Sequence, residues 1–257
     1  MLLNMFGQLG SRFLHILQRL GDAVTLSATS LRLLLAPPWQ GKHIITQIYM
    51  IGVGSLSIII ITGAFTGMVL SLQGYYTLAK FGSETLLGSA VAMSIIRELG
   101  PVLAALMLTG RAGSSIAAEI GIMRVTEQVD ALEMMGVNPQ ARIIMPRIIA
   151  TMLSLPILVA IFDLVGIAAG YVIGVDLLGV SSGSFVAEME AKVTLHDLNA
   201  GWVKAIGFGL LIGVICTYVG YRAQPTTEGV GLATTQSVVA SSVGILVLDY
   251  ILTSFFL

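Results

Sequence analysis

LLGSAVAMSIIRELGPVLAALML, residues 86–108, is apolar along its length apart from two adjacent charges, Arg97 and Glu98, with Gly100-Pro101 one residue beyond them. A helix crossing a bilayer needs about 20 apolar residues, and this run meets that length. A charge held at membrane depth costs about 3 kcal/mol on insertion scales. Adjacent helical residues do not face each other, so Arg97 and Glu98 cannot simply neutralise one another. Pro101 has no N–H and clashes with the carbonyl four residues back, that of Arg97. The stretch therefore sets a cation, an anion and a freed carbonyl at one level of a membrane helix. Polar groups in that position mark function.

Composition agrees with a membrane setting. The chain has 257 residues, 56% of them hydrophobic and 11% charged, against about 25% charged in soluble domains. Its mean hydropathy is +0.92. A net charge of −1 implies no polyanionic partner. One cysteine, Cys216, excludes an internal disulfide framework and a thiolate metal cluster. Twelve Met and 29 Gly suit closely packed, adaptable membrane helices.

The expected architecture is an all-α polytopic membrane protein, a single domain over residues 1–257. Five apolar segments read as spans, at roughly 44–72, 86–118, 148–175, 201–221 and 232–257. The second is interrupted by Arg97, Pro101 and Arg111, so it tilts, kinks or lies in protein-lined space. Basic residues fall on one side. Arg12, Arg19, Arg32 and Lys42 precede the first span, Arg124, Arg142 and Arg147 follow the second, and Arg222 follows the fourth. The opposite loops hold only Lys80 and Lys192. The positive-inside rule then predicts a cytoplasmic N-terminus and a C-terminus outside.

Ahead of the spans, Phe6, Leu9, Phe13, Leu17, Leu20 and Val24 recur at helical spacing, with Arg12, His15 and Arg19 on the other face. Within residues 1–40 this predicts an amphipathic helix along the inner membrane surface, broken by Pro37-Pro38. Glycines repeat every four residues in three spans: Gly63 and Gly67, Gly166, Gly170 and Gly174, and Gly209 and Gly213. Gly110, Ser114 and Ala118 continue the pattern in the second span. Such stripes let backbones approach, within one subunit or between two.

The most organised polar segment lies between the second and third spans. Thr126 is placed to cap a helix, with Glu127 and Asp130 near its positive end. Val125, Val129, Leu132 and Met134 or Met135 line one face, and Glu127, Asp130 and Glu133 the other. Gly136 suits the C-terminus, and Asn138-Pro139 stops the helix. So short a helix is unstable alone in water. It docks either on its own membrane domain or in the groove of a cytoplasmic partner, and periodicity alone leaves both open.

Catalytic motifs are missing. There is no phosphate-binding G-x-x-x-x-G-K-[ST] loop, no His-Glu-x-x-His and no G-x-S-x-G elbow. His15, His43 and His196 are scattered and read as interfacial. The expectation is a non-catalytic chain with no metal site and no cofactor of its own. Asp163 and Asp249 lie within apolar spans and either relay protons or, more simply, cap a helix break or bond a neighbouring Ser or Thr. Lys204, near an outer membrane end, is expected to snorkel.

Four motifs carry a resemblance: LQGYY at 72–76, RELGPVLAAL at 97–106, GRAGSSIAAEIG at 110–121 and RVTEQVDALEMMGVNP at 124–139. With the closing LDYILT at 248–253, they resemble the MlaE (YrbE-type) permeases over the whole chain. The resemblance implies the homodimeric membrane subunit of an ATP-binding-cassette lipid transporter in the inner membrane of a Gram-negative bacterium. It implies an MlaF-like ATPase that binds ATP and Mg, an MlaB-like STAS protein on that ATPase, and an MlaD-like MCE hexamer on the periplasmic side. It implies movement of phospholipid between the inner and outer membranes, maintaining outer-membrane lipid asymmetry. Residues 124–139 would be the coupling helix, with Glu127, Val129, Asp130, Leu132, Glu133, Met134 and Met135 at the ATPase.

The mechanism expected on this basis is a cavity between two copies. Leu70, Leu78 and Leu99 would hold acyl chains, and Gln73, Tyr75, Arg97 and Glu98 would set the polar level. Arg97 suits a lipid phosphate, because a guanidinium fork matches phosphate oxygens. Glu98 needs a partner, for which Arg97 of a second copy is one source. A purely structural set of inter-subunit salt bridges is the competing reading. Two other functions fit the same sequence: a secondary carrier acting alone, and a membrane anchor that only seats an MCE-protein complex.

Overall fold

The computed structural model describes residue 21 and residues 41–256. The helix expected within 1–40 falls outside these apart from Gly21. Among the described residues the chain is helical without strands, and five helices are long and apolar enough to span a membrane. They are α1 (Gly41–Ala79), α2 (Glu84–Val125), α4 (Gln140–Leu177), α6 (Leu195–Tyr221) and α7 (Thr227–Phe256). Two short helices lie at opposite ends of the bundle: α3 (Gln128–Met134) and α5 (Ser182–Lys192).

The spans outrun their apolar runs because their polar ends are satisfied within the fold. Glu119 lies beyond the expected end of the second span. It accepts a hydrogen bond from Arg147 at 2.9 Å, and α2 continues past it to Val125. Ahead of Pro101, one of the residues that interrupt the second span, the helix makes a π-turn over Ile95–Leu99. Gly100 N–H reaches back five residues to the Ile95 carbonyl, which absorbs the register lost where proline cannot donate.

Helix α4 is the central pillar, with α1 on one side and α6 on the other; α7 packs on α6 and the second half of α2. The glycine stripes build these contacts inside one chain. A β-carbon at Gly67 would overlap the Gly166 carbonyl, and one at Gly170 would sit 3.2 Å from the Gly67 carbonyl. Gly209 and Gly213 likewise seat α6 on Ile148, Thr151 and Met152. Gly110 is different: a β-carbon there would meet nothing within 4 Å. Gly67→Ala should therefore cost about 1–3 kcal/mol by overpacking, read as a lower thermal midpoint in detergent. Gly110→Ala should cost nothing.

Helix α5 has no counterpart in the sequence reading. Its segment mixes Ser, Gly, Glu and Lys, so no apolar stripe announces it. Phe185 anchors it: the side chain is 1% exposed, stacked edge-on to Tyr171, with Gly88 of α2 against its carbonyl.

Candidate functional site

The charges of the second span meet partners from α6 and α7 near the α5 end of the bundle. Thr194 and Asp197 form a capping box that starts α6, with Thr194 N–H and Oγ1 donating to Asp197 Oδ2 at 2.9 and 2.8 Å. The other carboxylate oxygen, Oδ1, accepts from Arg97 Nε. One turn along α6, Gly201 lets the helix approach the Ile96 carbonyl, and Lys204 comes in behind it. Lys204 is 1% exposed. Its Nζ donates to the Arg97 carbonyl at 3.0 Å, to Glu98 Oε2 at 2.7 Å and to Thr253 Oγ1 at 2.8 Å. Asp249 Oδ1 lies 3.1 Å from the same nitrogen as an ion contact, outside hydrogen-bond geometry. Thr253 closes the ring by donating to Glu98 Oε1 at 3.2 Å.

This arrangement corrects three expectations. Lys204 does not snorkel; it is the buried hub of the cluster. Asp249 neither caps a break nor bonds a neighbouring hydroxyl; it pairs with Lys204. Glu98 does not wait for a second copy, because Lys204 of its own chain pairs with it at 2.7 Å. The carbonyl freed by Pro101, by contrast, is where the sequence put it, and Lys204 occupies it. Asp163 stays apart on α4, facing Gly100, with its Oδ1 buried and without a hydrogen-bond partner.

The cluster is buried on one side and open on the other. Arg97 and Glu98 side chains are 41% and 43% exposed, whereas those of Asp197 and Lys204 are 3% and 2% exposed. With Nε committed to Asp197, the outer guanidinium nitrogens of Arg97 make no hydrogen bond among the described residues. A cavity of about 60 Å³ opens at this edge, with His196 and Phe256 on its rim. The five other residues expected at the lipid site lie elsewhere. Leu70, Tyr75 and Leu78 are half-buried against the chain's own core, Gln73 is exposed on α1, and Leu99 is half-buried at the end of the π-turn. Helix α1 packs along α4 and α2, whereas the cavity sits where α2 meets α6 and α7. One chain alone does not unite these residues in one cavity.

At the opposite end, α3 is shorter than the expected 124–139. Thr126 is not its cap: the hydroxyl donates back to the Ile122 carbonyl at 2.9 Å and ends α2. Glu127 turns the chain with φ +56°, and α3 begins at Gln128. Gly136, at φ +73°, closes α3: its N–H reaches the Glu133 carbonyl and Val137 N–H the Leu132 carbonyl, both at 2.9 Å. Val129 is wholly buried and Leu132 half-buried on the chain's own core. Glu127, Asp130, Glu133, Met134 and Met135 are exposed, the two methionines at 89% and 68%. The helix thus docks on its own membrane domain through one face and leaves the other bare. Among the described residues, no three His, Cys, Asp or Glu side chains come together to hold a metal ion.

Comparison with known proteins places these features in a family. Residues 44–255 match the family model described as Permease MlaE. The chain is 43% identical to the "Intermembrane phospholipid transport system permease protein MlaE" of Haemophilus influenzae, over 99% of this chain and 98% of that protein. It is 40% identical to a "Probable ABC transporter permease protein" of Rickettsia bellii, over 100% of this chain and 99% of that one. A chloroplast protein of Arabidopsis thaliana, "Protein TRIGALACTOSYLDIACYLGLYCEROL 1", is 33% identical over 84% of this chain and 61% of its own length. With a family model spanning nearly all the described residues and full-length relatives at this identity, the chain belongs to the MlaE permease family.

Proposed function

We propose that this chain is the membrane-spanning, non-catalytic permease subunit of an ATP-binding-cassette transporter that moves phospholipid between the inner and outer membranes and so maintains outer-membrane lipid asymmetry. The observation that carries the reading is the pairing of two features on one bundle. One is a charge cluster in the membrane that is half open at Arg97 and Glu98. The other is a short inter-span helix, anchored by Val129, with a bare acidic and Met-rich outer face. The first suits an amphiphile with a phosphate headgroup. The second suits a groove in a partner, where methionines re-pack as the partner moves.

In this reading the α3 end is cytoplasmic and the α5 end periplasmic, since Arg124, Arg142, Arg147 and Arg222 gather at the former. The N-terminus is then cytoplasmic and the C-terminus periplasmic, in a Gram-negative inner membrane. The exposed face of α3 meets an MlaF-like ATPase, which holds the ATP and Mg and carries an MlaB-like STAS protein. An MlaD-like MCE hexamer covers the periplasmic end. A second copy of the chain supplies the far wall of the lipid cavity, bringing Leu70, Gln73, Tyr75, Leu78 and Leu99 toward Arg97 and Glu98.

Reconstitution tests the proposal. The complex purified from native membranes is placed in proteoliposomes with labelled phospholipid, with and without ATP. Transfer is expected only with ATP and the ATPase. Transfer by the isolated chain without nucleotide would identify a secondary carrier, and a purified complex free of lipid would identify an anchor.

A further inference from the structure

A further intramembrane cation stands apart from the Arg97–Lys204 cluster and has no counter-ion among the described residues. Arg111, on α2 toward the α3 end, is exposed and takes part in no ion pair among the described residues. Its seat is built. A π-turn at Tyr49–Val53 of α1 leaves the Met50 carbonyl facing α2, and Arg111 Nη1 donates to it at 3.0 Å and to Ser55 Oγ at 3.1 Å. Ser55 is itself buried and fixed by donating to the Ile51 carbonyl at 2.7 Å. Gly54 leaves the room: a β-carbon there would overlap the guanidinium. One edge of the fork is thus tied down and the rest is free to donate.

The acid beside this site is engaged elsewhere. Glu119 shares a small cavity of about 50 Å³ with Arg111, Ser115 and Gln47. One of its oxygens accepts from Arg147 at 2.9 Å and the other from Ser115 at 3.1 Å. Arg111, Ser115 and Glu119 are four residues apart along α2 and so lie on one face. They form a polar ladder running from the α3 end into the membrane, and the guanidinium at its deep end has no carboxylate partner among the described residues. A cation so placed draws an anion or water to itself, and the membrane's own anion is the lipid phosphate.

We propose that Arg111 binds the phosphate of a phospholipid from the leaflet on the α3 side, with the Arg111–Ser115–Glu119 face as the track by which the headgroup descends. This site is distinct from the Arg97 cluster at the other end of the bundle. It needs only that the chain sits in a bilayer, so it stands or falls independently of the transport reading. Lipid is favoured over an acid on a second copy because the acids of the spans at this end, Glu119 and the α7-starting Glu228, are respectively paired and a bundle-end residue.

The test is site-specific photo-cross-linking on the purified complex in phosphatidylcholine nanodiscs. Ser114 is replaced by p-benzoylphenylalanine, one turn from Arg111, and the nanodiscs carry tracer phosphatidylglycerol or tracer diacylglycerol of the same chains. Phosphatidylglycerol should cross-link about tenfold better than diacylglycerol, the scale of a charged hydrogen bond. Arg111→Gln, which keeps donors for Met50 and Ser55, should bring that ratio close to one, and Arg111→Lys should preserve most of it. If Arg111→Gln fails to fold, Ser115→Leu, which blocks the track and leaves the guanidinium seat intact, should lower the ratio instead. Three results overturn the proposal: a ratio unchanged by Arg111→Gln, displacement of the tracer by inorganic phosphate, which would make the ligand a soluble anion, or cross-linking to a second copy rather than to lipid.

Discussion

Lys204→Met is expected to abolish lipid transport and to lower the stability of the purified permease by roughly 3–5 kcal/mol, the range for removing one partner of a buried ion pair. The lysine ammonium has three donors, and all three are used, on the Arg97 carbonyl, Glu98 and Thr253. Methionine matches the volume but leaves Asp249, whose side chain is 20% exposed, with no cation beside it. Glu98 suffers less, because its side chain is 43% exposed and can hold water. The loss should therefore come mainly from Asp249. Lys204→Met combined with Asp249→Asn should recover most of the thermal midpoint while transport stays low, because the Arg97 carbonyl and Glu98 still lack the Lys204 ammonium. Paired thermal melts and transfer assays on the single and double variants give the coupling directly. An unchanged midpoint in Lys204→Met would show that the cluster does not hold α2, α6 and α7 together.

That cluster also marks the limit of what the sequence discloses. Arg97, Glu98 and the carbonyl freed by Pro101 are legible because they are local: a charge in an apolar run and a missing N–H need no partner to be noticed. Lys204 and Asp249 are equally visible as charges in spans, but the bond between Lys204 and Glu98 joins residues 106 apart. Nothing in helical periodicity encodes such a distance, so Lys204 reads as a snorkelling end residue and Asp249 as a cap. Asp197 carries a local signal, the Thr194-x-x-Asp197 capping box ahead of an apolar run, which predicts where α6 starts but not that the spare oxygen meets Arg97. The glycine stripes foretell close approach, and only the packed helices reveal that Gly67 meets Gly166 within one chain. Helix α5 escapes notice because a single buried residue, Phe185, holds it. The Thr126 assignment fails for a reason of competition. A threonine one turn past Ile122 can bond backward to end α2 as readily as forward to start α3, and here it bonds backward.

The largest functional effect outside the membrane should come from the bare face of α3. Met134→Asp with Met135→Asp is expected to reduce ATP-driven lipid transfer by about 30-fold or more, with normal insertion and an unchanged thermal midpoint. Both methionines are exposed, so the free permease loses no packing. If they seat in a partner groove, each is an apolar anchor, and losing an anchor of that kind costs about 2 kcal/mol or more, equivalent to roughly 30-fold in affinity. Glu133→Lys should act in the same direction, placing a cation on the acidic face. Val129→Asp is the instructive contrast. Val129 is wholly buried in the chain's own core, so a carboxylate there should destabilise the fold before any partner is involved. ATPase activity and transfer measured together separate the two outcomes. Loss of transfer with a stable permease and a dissociated or uncoupled ATPase identifies α3 as the coupling element. Normal transfer in the double methionine variant would mean that the bare face touches nothing that drives the cycle, and that α3 serves only to tie α2 to α4.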